Sequence, residues 1–588
     1  MDSAYRGFVM PPFLRAKVGT TYTCVMADVL RPADRDRENP IFTTNGSAHP
    51  PAEPRRWALP LVMLVYLAVY GRAMTLGFVW DDSVNSSQSE LLLGPLSQVI
   101  RKGEHARSEP ATERMPKDLV PKHESYRPIS VTSHWIDVHL FGPRSWPMHL
   151  HNLLLGLLSI VLVSAVGRAL GLGLWLPCLW ALHPLHVEVF AYISARSDLL
   201  AATFSLLALL SALRSTQTDQ VHARWLWAGS AAFFQMVSLF AKEANIALPL
   251  AVLTLALAGG KLRAAAASTS ALFAGTIVYF PLRKALMQSA SLPMAQKKAI
   301  LHAFVDLPGV ALAYATSFVS PISLTPDRKL WPPFVPLGWI ALALLVVGFA
   351  LAIRRVRAAG RTDLMLAAGA LAASGMLLLP AALGFRSIGA LSDRYVFFPF
   401  LFVAIAFGVA ARTAVRLLVN VPRAIWIAPL CAWCGILLTV TWLQIDVWKS
   451  DETLAQHAVA TEPDNSAALY RLATVATSRG DFVQALPLLE RAVSLDPTHQ
   501  RALSNLSVVY LNLNRVTDAK LILRRLLPLA GATDRRFWYN VASVQAADGK
   551  VDKACSALAR ALEIDPGYVL ALTLRDRICI PIEMHSDR

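Results

Sequence analysis

A chain of 588 residues that is 55% hydrophobic and only 16% charged falls well below the roughly 25% charged residues of ordinary soluble proteins. Its mean hydropathy of +0.44 excludes a soluble globular enzyme and predicts a polytopic membrane protein. The formal charge of +16 raises the question of nucleic acid, but no basic stripe with interleaved aromatics runs through the sequence. A positive-inside bias between spans accounts for it, and no nucleic-acid partner is expected.

Residues 1–56 read as a polar, proline-containing tail. They lack a basic start followed directly by an apolar core, so no cleaved signal peptide is expected. Apolar runs long enough for a bilayer lie near 57–77, 147–168, 171–191, 197–213, 225–241, 243–259 and 265–282, then near 334–353, 363–385, 394–412 and 422–443. The piece 301–320 is ambiguous. If it crossed, the basic segment 354–361 would lie outside, so it is read as re-entrant or surface-lying. The result is eleven crossings, an inside N-terminus and an outside C-terminal domain, with the membrane unit at 57–443 and an external loop at 78–146.

That loop opens GFVWDDSVNSS (77–87) and closes YRPISVTSHWIDVHLFGPRSW (126–146), whose apolar faces and aromatics predict an interface helix. Asp81, Asp82 and Arg127 are its candidate site residues. A carboxylate there can accept a proton from an alcohol nucleophile, and two adjacent ones raise each other's proton affinity; helix capping is the rival reading. The junction ALHPLHVEVFAYISARSDLL (181–200) adds His183, Glu188, Arg196 and Asp198 between apolar stretches, where ionisable groups line cavities rather than face lipid. Arg196 could hold a phosphate in a fork, while His183 and Glu188 could bond a sugar or position carboxylates; ordinary interhelical hydrogen bonding is the alternative. HPLHVE lacks metal-site spacing.

Lys242 and Glu243 repeat the pattern, either as a structural ion pair or with the lysine on a phosphate. Asp393, Arg394 and Tyr395 bring another cation and an aromatic to the same face, whereas Arg283 and Lys284 read more simply as a solvated helix end. Six cysteines form no ligand-like cluster. Cys431 and Cys434 have CxxC spacing inside an apolar helix and read as buried thiols rather than a redox pair.

After a junction at 444–462, the chain changes character. Pro463 to Pro497 spans 34 residues, as does Leu506 to Asn540, and ERAVSLDP and ARALEIDP close the first and last units. This is the spacing of tetratricopeptide helix pairs, expected over 463–580 ahead of a short tail at 581–588. Ala473, Ala485, Ala554 and Ala561 permit close helix packing, and three to four such repeats can stack into a surface that holds a polypeptide.

GFVWDD (77–82), SYRPISVTS (125–133), PMHLHNLLLG (147–156), HPLHVEVFAYISARSDLLAA (183–202), AKEANIALPL (241–250) and SDRYVFFPF (392–400) follow in an order that resembles the transmembrane and tetratricopeptide repeat-containing O-mannosyltransferase family. The resemblance implies an all-α, GT-C type membrane glycosyltransferase with a C-terminal tetratricopeptide α-solenoid. It implies transfer of mannose from dolichyl phosphate mannose, or from a polyprenyl phosphate donor in a bacterial relative, to Ser/Thr hydroxyls of an acceptor polypeptide. It places the acidic centre at Asp81 and Asp82 and matches Arg196, Asp198, Lys242, Glu243 and Arg394 to other polar motif positions. The expected site faces the periplasm from a bacterial inner membrane, or the lumen from an endoplasmic reticulum membrane. Arg196, Lys242 or Arg394 would neutralise the donor phosphate while a carboxylate deprotonates the acceptor. A single displacement inverts the anomeric centre and needs no cofactor or metal, because lipid phosphate is already a capable leaving group. The alternatives are a lipid-sugar transporter or membrane scaffold recruiting proteins through the repeats, and a transferase of a preassembled glycan.

Overall fold

The computed structural model describes residues 57–80, 82, 90–102, 126–287, 294–322, 324–326, 328–358, 362–388, 390–417, 422–530 and 534–579. Among these the regular structure is helical, with one isolated bridge pairing Arg328 and Leu391. The membrane unit comprises α1 (Ala58–Tyr70), two short helices α2 (Glu90–Leu93) and α3 (Leu96–Lys102), α4 (Pro128–Phe141), α5 (Ser145–Ala169), α6 (Trp175–Leu182), α7 (Val187–Ala191), α8 (Arg196–Gln217) and α9 (Val221–Ala241). It continues through α10 (Leu248–Ala258), α11 (Leu262–Met287), α12 (Met294–Val319), α13 (Phe334–Ala358), α14 (Thr362–Leu377), α15 (Leu379–Ile388), α16 (Phe397–Leu417) and α17 (Arg423–Val447).

Seven described helical segments are long and apolar enough to cross a membrane: Ala58–Thr75, Ser145–Ala169, Ile193–Gln217, Leu262–Leu286, Asp363–Leu383, Asp393–Ala414 and Ile427–Val447. The protein is a multi-pass membrane protein. Leu61, Leu64, Ile277, Val278, Leu344, Ile436 and Leu443 are exposed on these and neighbouring helices, as a lipid-facing surface requires. In contrast, α8 is buried along most of its length and forms the centre of the bundle. Helix α9 packs closely against α11, where a Cβ at Gly275 would collide with the Ala232 carbonyl.

One apolar run differs from its sequence reading. Residues 171–191 do not form one helix: Pro184 cannot continue α6, and the chain passes through a 3₁₀ turn, Pro184–His186, into the separate α7. The piece 301–320, expected to be re-entrant or surface-lying, falls within the continuous helix α12 and packs on α13, where Gly338 lies against Pro308. The stretch expected to form an interface helix is helical as α4. It buries Val131, His134, Asp137 and Val138 while exposing Ile136, Leu140 and Phe141 on its other face. Cys431 and Cys434 are exposed on α17, not buried, so the apolar run around them faces outward.

The repeats begin with α18 (Asp451–Thr461), followed by α19 (Ser466–Ser478) with α20 (Phe482–Leu495), α21 (Gln500–Asn512) with α22 (Val516–Ala530), and α23 (Arg535–Ala547) with α24 (Val551–Ile564). The closing helix is α25 (Val569–Ile578). Ala473, Ala485, Ala554 and Ala561 are all fully buried, so small side chains set the close approach of each pair. Side chains of Asn465, Asp481, His499 and Asp534 cap the helices that follow them, satisfying backbone N–H groups that a helix start leaves open. Asp496 and Asp565 terminate α20 and α24 ahead of the tight turns. A disulfide joins Cys555 to Cys579 and fastens the closing helix to the last pair. Cysteine spacing gave no reason to pair those two.

Candidate active site

Helix breaks in the membrane unit build the site. The 3₁₀ turns Ile193–Ala195, Glu243–Asn245 and Asp393–Val396 each precede an apolar helix, and residues from all three border one cavity of about 540 Å³. Regular helix would direct such side chains along its flank; a short turn lets consecutive polar residues face the same space.

Arg127, Lys242, Arg283 and Arg394 line the cavity with the carboxylates Asp198 and Glu243 and the rings of Tyr192, Tyr279 and Tyr395. Lys242 Nζ binds both oxygens of Asp198, at 2.6 and 2.7 Å, and this pair is buried. Glu243 does not pair with its neighbour. It stands between two arginines, each at 3.4 Å: Arg127 Nε on one oxygen and an Arg283 nitrogen on the other. Arg394 is anchored from behind by Glu188, 3.4 Å away through the guanidinium, while its own backbone N–H donates to the same carboxylate at 3.1 Å. Its guanidinium lies 5.7 Å from the Tyr192 ring and 5.5 Å from that of Tyr395. Four cations thus share a space with two carboxylates, and two of the arginines meet at the single carboxylate of Glu243.

Asp82 is fully buried at the edge of this space. One of its oxygens accepts from Ser194 N–H at 2.8 Å and Ser194 Oγ at 2.7 Å, and the other from Val79 N–H at 3.3 Å. Ser194 itself lines the cavity, so Asp82 communicates with it across one hydroxyl. Asp81 lies outside the described residues.

The structure does not bring Arg196 to this cavity. Its guanidinium is fully buried and binds Asn152 Oδ1 at 2.7 Å, Asp137 Oδ2 at 2.5 Å and the Met148 carbonyl at 2.7 Å. Those bonds tie α8 to α4 and α5, which corrects the expectation that it holds the donor phosphate. His183 is likewise set apart. Its Nδ1 caps the turn at Leu185, its Nε2 meets the Phe318 carbonyl at 3.0 Å, and its ring packs among Phe318, Phe400 and Trp433. Glu188 acts through Arg394 rather than facing the cavity.

Among the residues sequence reading passed over, Arg283 is the most consequential: taken for a solvated helix end, it is half of the arginine pair on Glu243. Pro281 inside α11, two residues earlier, was the available signal of a local distortion there. Ser194, Tyr192 and Tyr279 carried none.

Three models described as tetratricopeptide repeat match residues 451–499, 476–542 and 536–568. The C-terminal unit is a tetratricopeptide repeat array. Over a longer stretch the chain is similar to protein O-mannosyl-transferases. It is 30% identical over 219 residues to Protein O-mannosyl-transferase TMTC4 of Homo sapiens, covering 33% of this chain and 28% of that one. It is 36% identical over 124 residues to Protein O-mannosyl-transferase TMTC1 of Mus musculus, covering 20% and 13%. Protein O-mannosyl-transferase F38B6.6 of Caenorhabditis elegans is 25% identical over 170 residues, covering 27% and 24%. The chain therefore spans less than a third of the length of these relatives. The solved structure of ArnT from Cupriavidus metallidurans bound to undecaprenyl phosphate aligns over 80% of each chain at 16% identity with a TM-score of 0.34, too low for a shared fold to follow.

Proposed function

We propose that this protein is a membrane glycosyltransferase that moves a sugar, mannose, from a polyprenyl or dolichyl phosphate donor to Ser/Thr hydroxyls of a polypeptide by a single inverting displacement. The observation that carries the reading is the cavity itself. A bundle of apolar helices opens, at its helix breaks, onto a space with Arg127, Arg283, Arg394 and Lys242 on its walls, a surplus of positive charge suited to a lipid phosphate. Its volume of about 540 Å³ falls in the range of sites for single small molecules, which favours one sugar with its phosphate over a preassembled glycan. The similarity to protein O-mannosyl-transferases supports the sugar and the acceptor class.

In this reading Arg127 and Arg283 exchange the shared Glu243 carboxylate for the donor phosphate, and Arg394 reinforces them. Asp198, held by Lys242, and the freed Glu243 accept hydrogen bonds from sugar hydroxyls. The acidic pair Asp81–Asp82 removes the acceptor proton as the oxygen attacks the anomeric carbon opposite the leaving phosphate. The lipid phosphate leaves without a metal or cofactor. The repeats hold the acceptor polypeptide on the site's side of the membrane, periplasmic or lumenal. The Cys555–Cys579 disulfide supports that side, because such bonds persist in oxidising compartments.

The test uses purified protein in lipid with defined polyprenyl-phosphate sugars and a Ser/Thr peptide, comparing wild type with Asp81→Asn and Asp82→Asn. Removing a general base lowers turnover by about 10²- to 10⁴-fold. Full transfer in both variants, with normal folding, rejects the acidic pair as base. Passage of intact lipid sugar across the bilayer without glycosylated peptide replaces the transferase with a transporter.

A further inference from the structure

Trp80, immediately before the acidic pair, is held in an uncommon conformation by residues of the repeat unit. Its φ is +51°, in the left-handed region that a bulky side chain occupies only where its surroundings impose it. Its backbone N–H donates to the Asp451 carboxylate at 2.7 Å across 371 residues of sequence. The Arg471 guanidinium lies 4.1 Å from the centre of its ring, close enough for a cation–π contact. The same ring meets Tyr192 and Trp448 edge-on, at 5.9 and 5.7 Å. Tyr192 stacks on Trp448 at 5.2 Å and lines the cavity.

Asp451 opens α18 and Arg471 belongs to α19; both fall inside the first tetratricopeptide match at 451–499. On the other side of Trp80, the Val79 N–H and Ser194 grip Asp82. Trp80 and Asp82 are therefore held from two directions, Asp82 by the membrane bundle and Trp80 by the repeat array. An imposed backbone conformation beside a catalytic group is the expected form of a positioning device, because small displacements of a reacting group lower rates steeply.

We propose that Asp451 and Arg471 are positioning residues of the transfer site, clamping Trp80 so that Asp82 is held against Ser194 at the cavity's edge. The repeat array is then part of the catalytic apparatus as well as a surface for the acceptor. This assignment rests on the transferase reading for its catalytic meaning, and the clamp itself has a readout that does not.

The experiment uses the full chain in lipid nanodiscs. Amide hydrogen exchange across residues 78–82, and transfer from polyprenyl-phosphate mannose to a Ser/Thr peptide, are measured for wild type, Asp451→Ala, Arg471→Ala, Arg471→Lys and Arg491→Ala. Arg491 pairs with Asp464 on the exposed face of the same repeat and serves as the control. Arg471→Ala and Asp451→Ala, which removes the acceptor of the Trp80 N–H, are expected to raise exchange in this segment about tenfold or more and lower kcat by a similar factor, with the donor KM within about twofold. Arg471→Lys, which keeps a cation over the ring, recovers most of both, and Arg491→Ala matches wild type. Unchanged exchange in Asp451→Ala and Arg471→Ala overturns the clamp, as does an equal loss in Arg491→Ala. Faster exchange with unchanged kcat overturns the positioning role. A wild type that transfers nothing overturns the transferase reading instead, and the exchange result still decides the clamp.

Discussion

Arg196 and Arg479 show how differently the membrane unit and the repeat array use the same side chain. Arg196 is completely buried, with Asp137, Asn152 and the Met148 carbonyl around its guanidinium. Arg479 binds Glu452 through two bonds of 2.7 and 2.6 Å, yet both partners stay substantially open to solvent. In the bundle a charge must be matched atom by atom because no water can replace a missing partner. Along the repeats, water is always an alternative and the regular Ala-lined packing supplies the stability. The lesson concerns where to look for function. Arg196, set away from the cavity, belongs to the scaffold, whereas Arg127, Arg283 and Arg394 stand on the cavity wall where a ligand can reach them.

Three substitutions in the membrane unit sharpen that contrast. Arg196→Ala leaves Asp137 buried beside only His151, 2.9 Å away; breaking such a buried pair costs about 3–5 kcal/mol. Thermal unfolding in detergent should show a large loss of stability, and an unshifted melting curve would contradict the scaffold role. Arg127→Ala and Arg283→Ala each remove a cavity cation, and charged hydrogen bonds contribute about 1.5–3 kcal/mol, so the donor KM should rise about tenfold or more with folding intact. If both leave the donor KM unchanged, the phosphate lies elsewhere.

His499 gives a smaller, pH-dependent effect within the repeats. Burial pushes its pKa below the usual 6.5, with Asp496 opposing and Arg501 and Arg471 adding to the fall. Its neutral Nδ1 accepts the Ala502 N–H at 3.2 Å as the cap of α21. Below the unfolded pKa the unfolded chain binds the proton more readily, so this contribution is complete above pH 6.5 and is lost as pH falls through the lower folded value. Amide protection in the first turn of α21, taken relative to the intrinsic exchange rate at each pH, should fall on acidification in wild type and lose that dependence in His499→Asn, which keeps a capping acceptor. The smallest effect is expected for Arg479→Ala, whose exposed pair should leave the melting temperature unchanged.

The sequence alone made the repeats legible because their period, small residues and Asp-Pro stops are local signals; Ala473, Ala485, Ala554 and Ala561 stand where that period puts them. In the membrane unit, polar residues at helix junctions pointed to the right neighbourhood but not to partners. Lys242 and Glu243 are adjacent in sequence and bind different groups, Asp198 for one and Arg127 with Arg283 for the other. Pairing across 44 or 116 residues depends on how helices pack, which no spacing rule carries. Arg196 illustrates the same limit: its motif position resembled a phosphate ligand, while its partners come from α4 and α5.

The most direct measurement is the product of wild-type protein in lipid given polyprenyl-phosphate mannose and a Ser/Thr peptide, read by intact mass and by the anomeric configuration of the attached sugar. The account predicts a peptide heavier by one hexose, linked with the configuration opposite to that of the donor. An unmodified peptide, or a sugar attached with retained configuration, would contradict it.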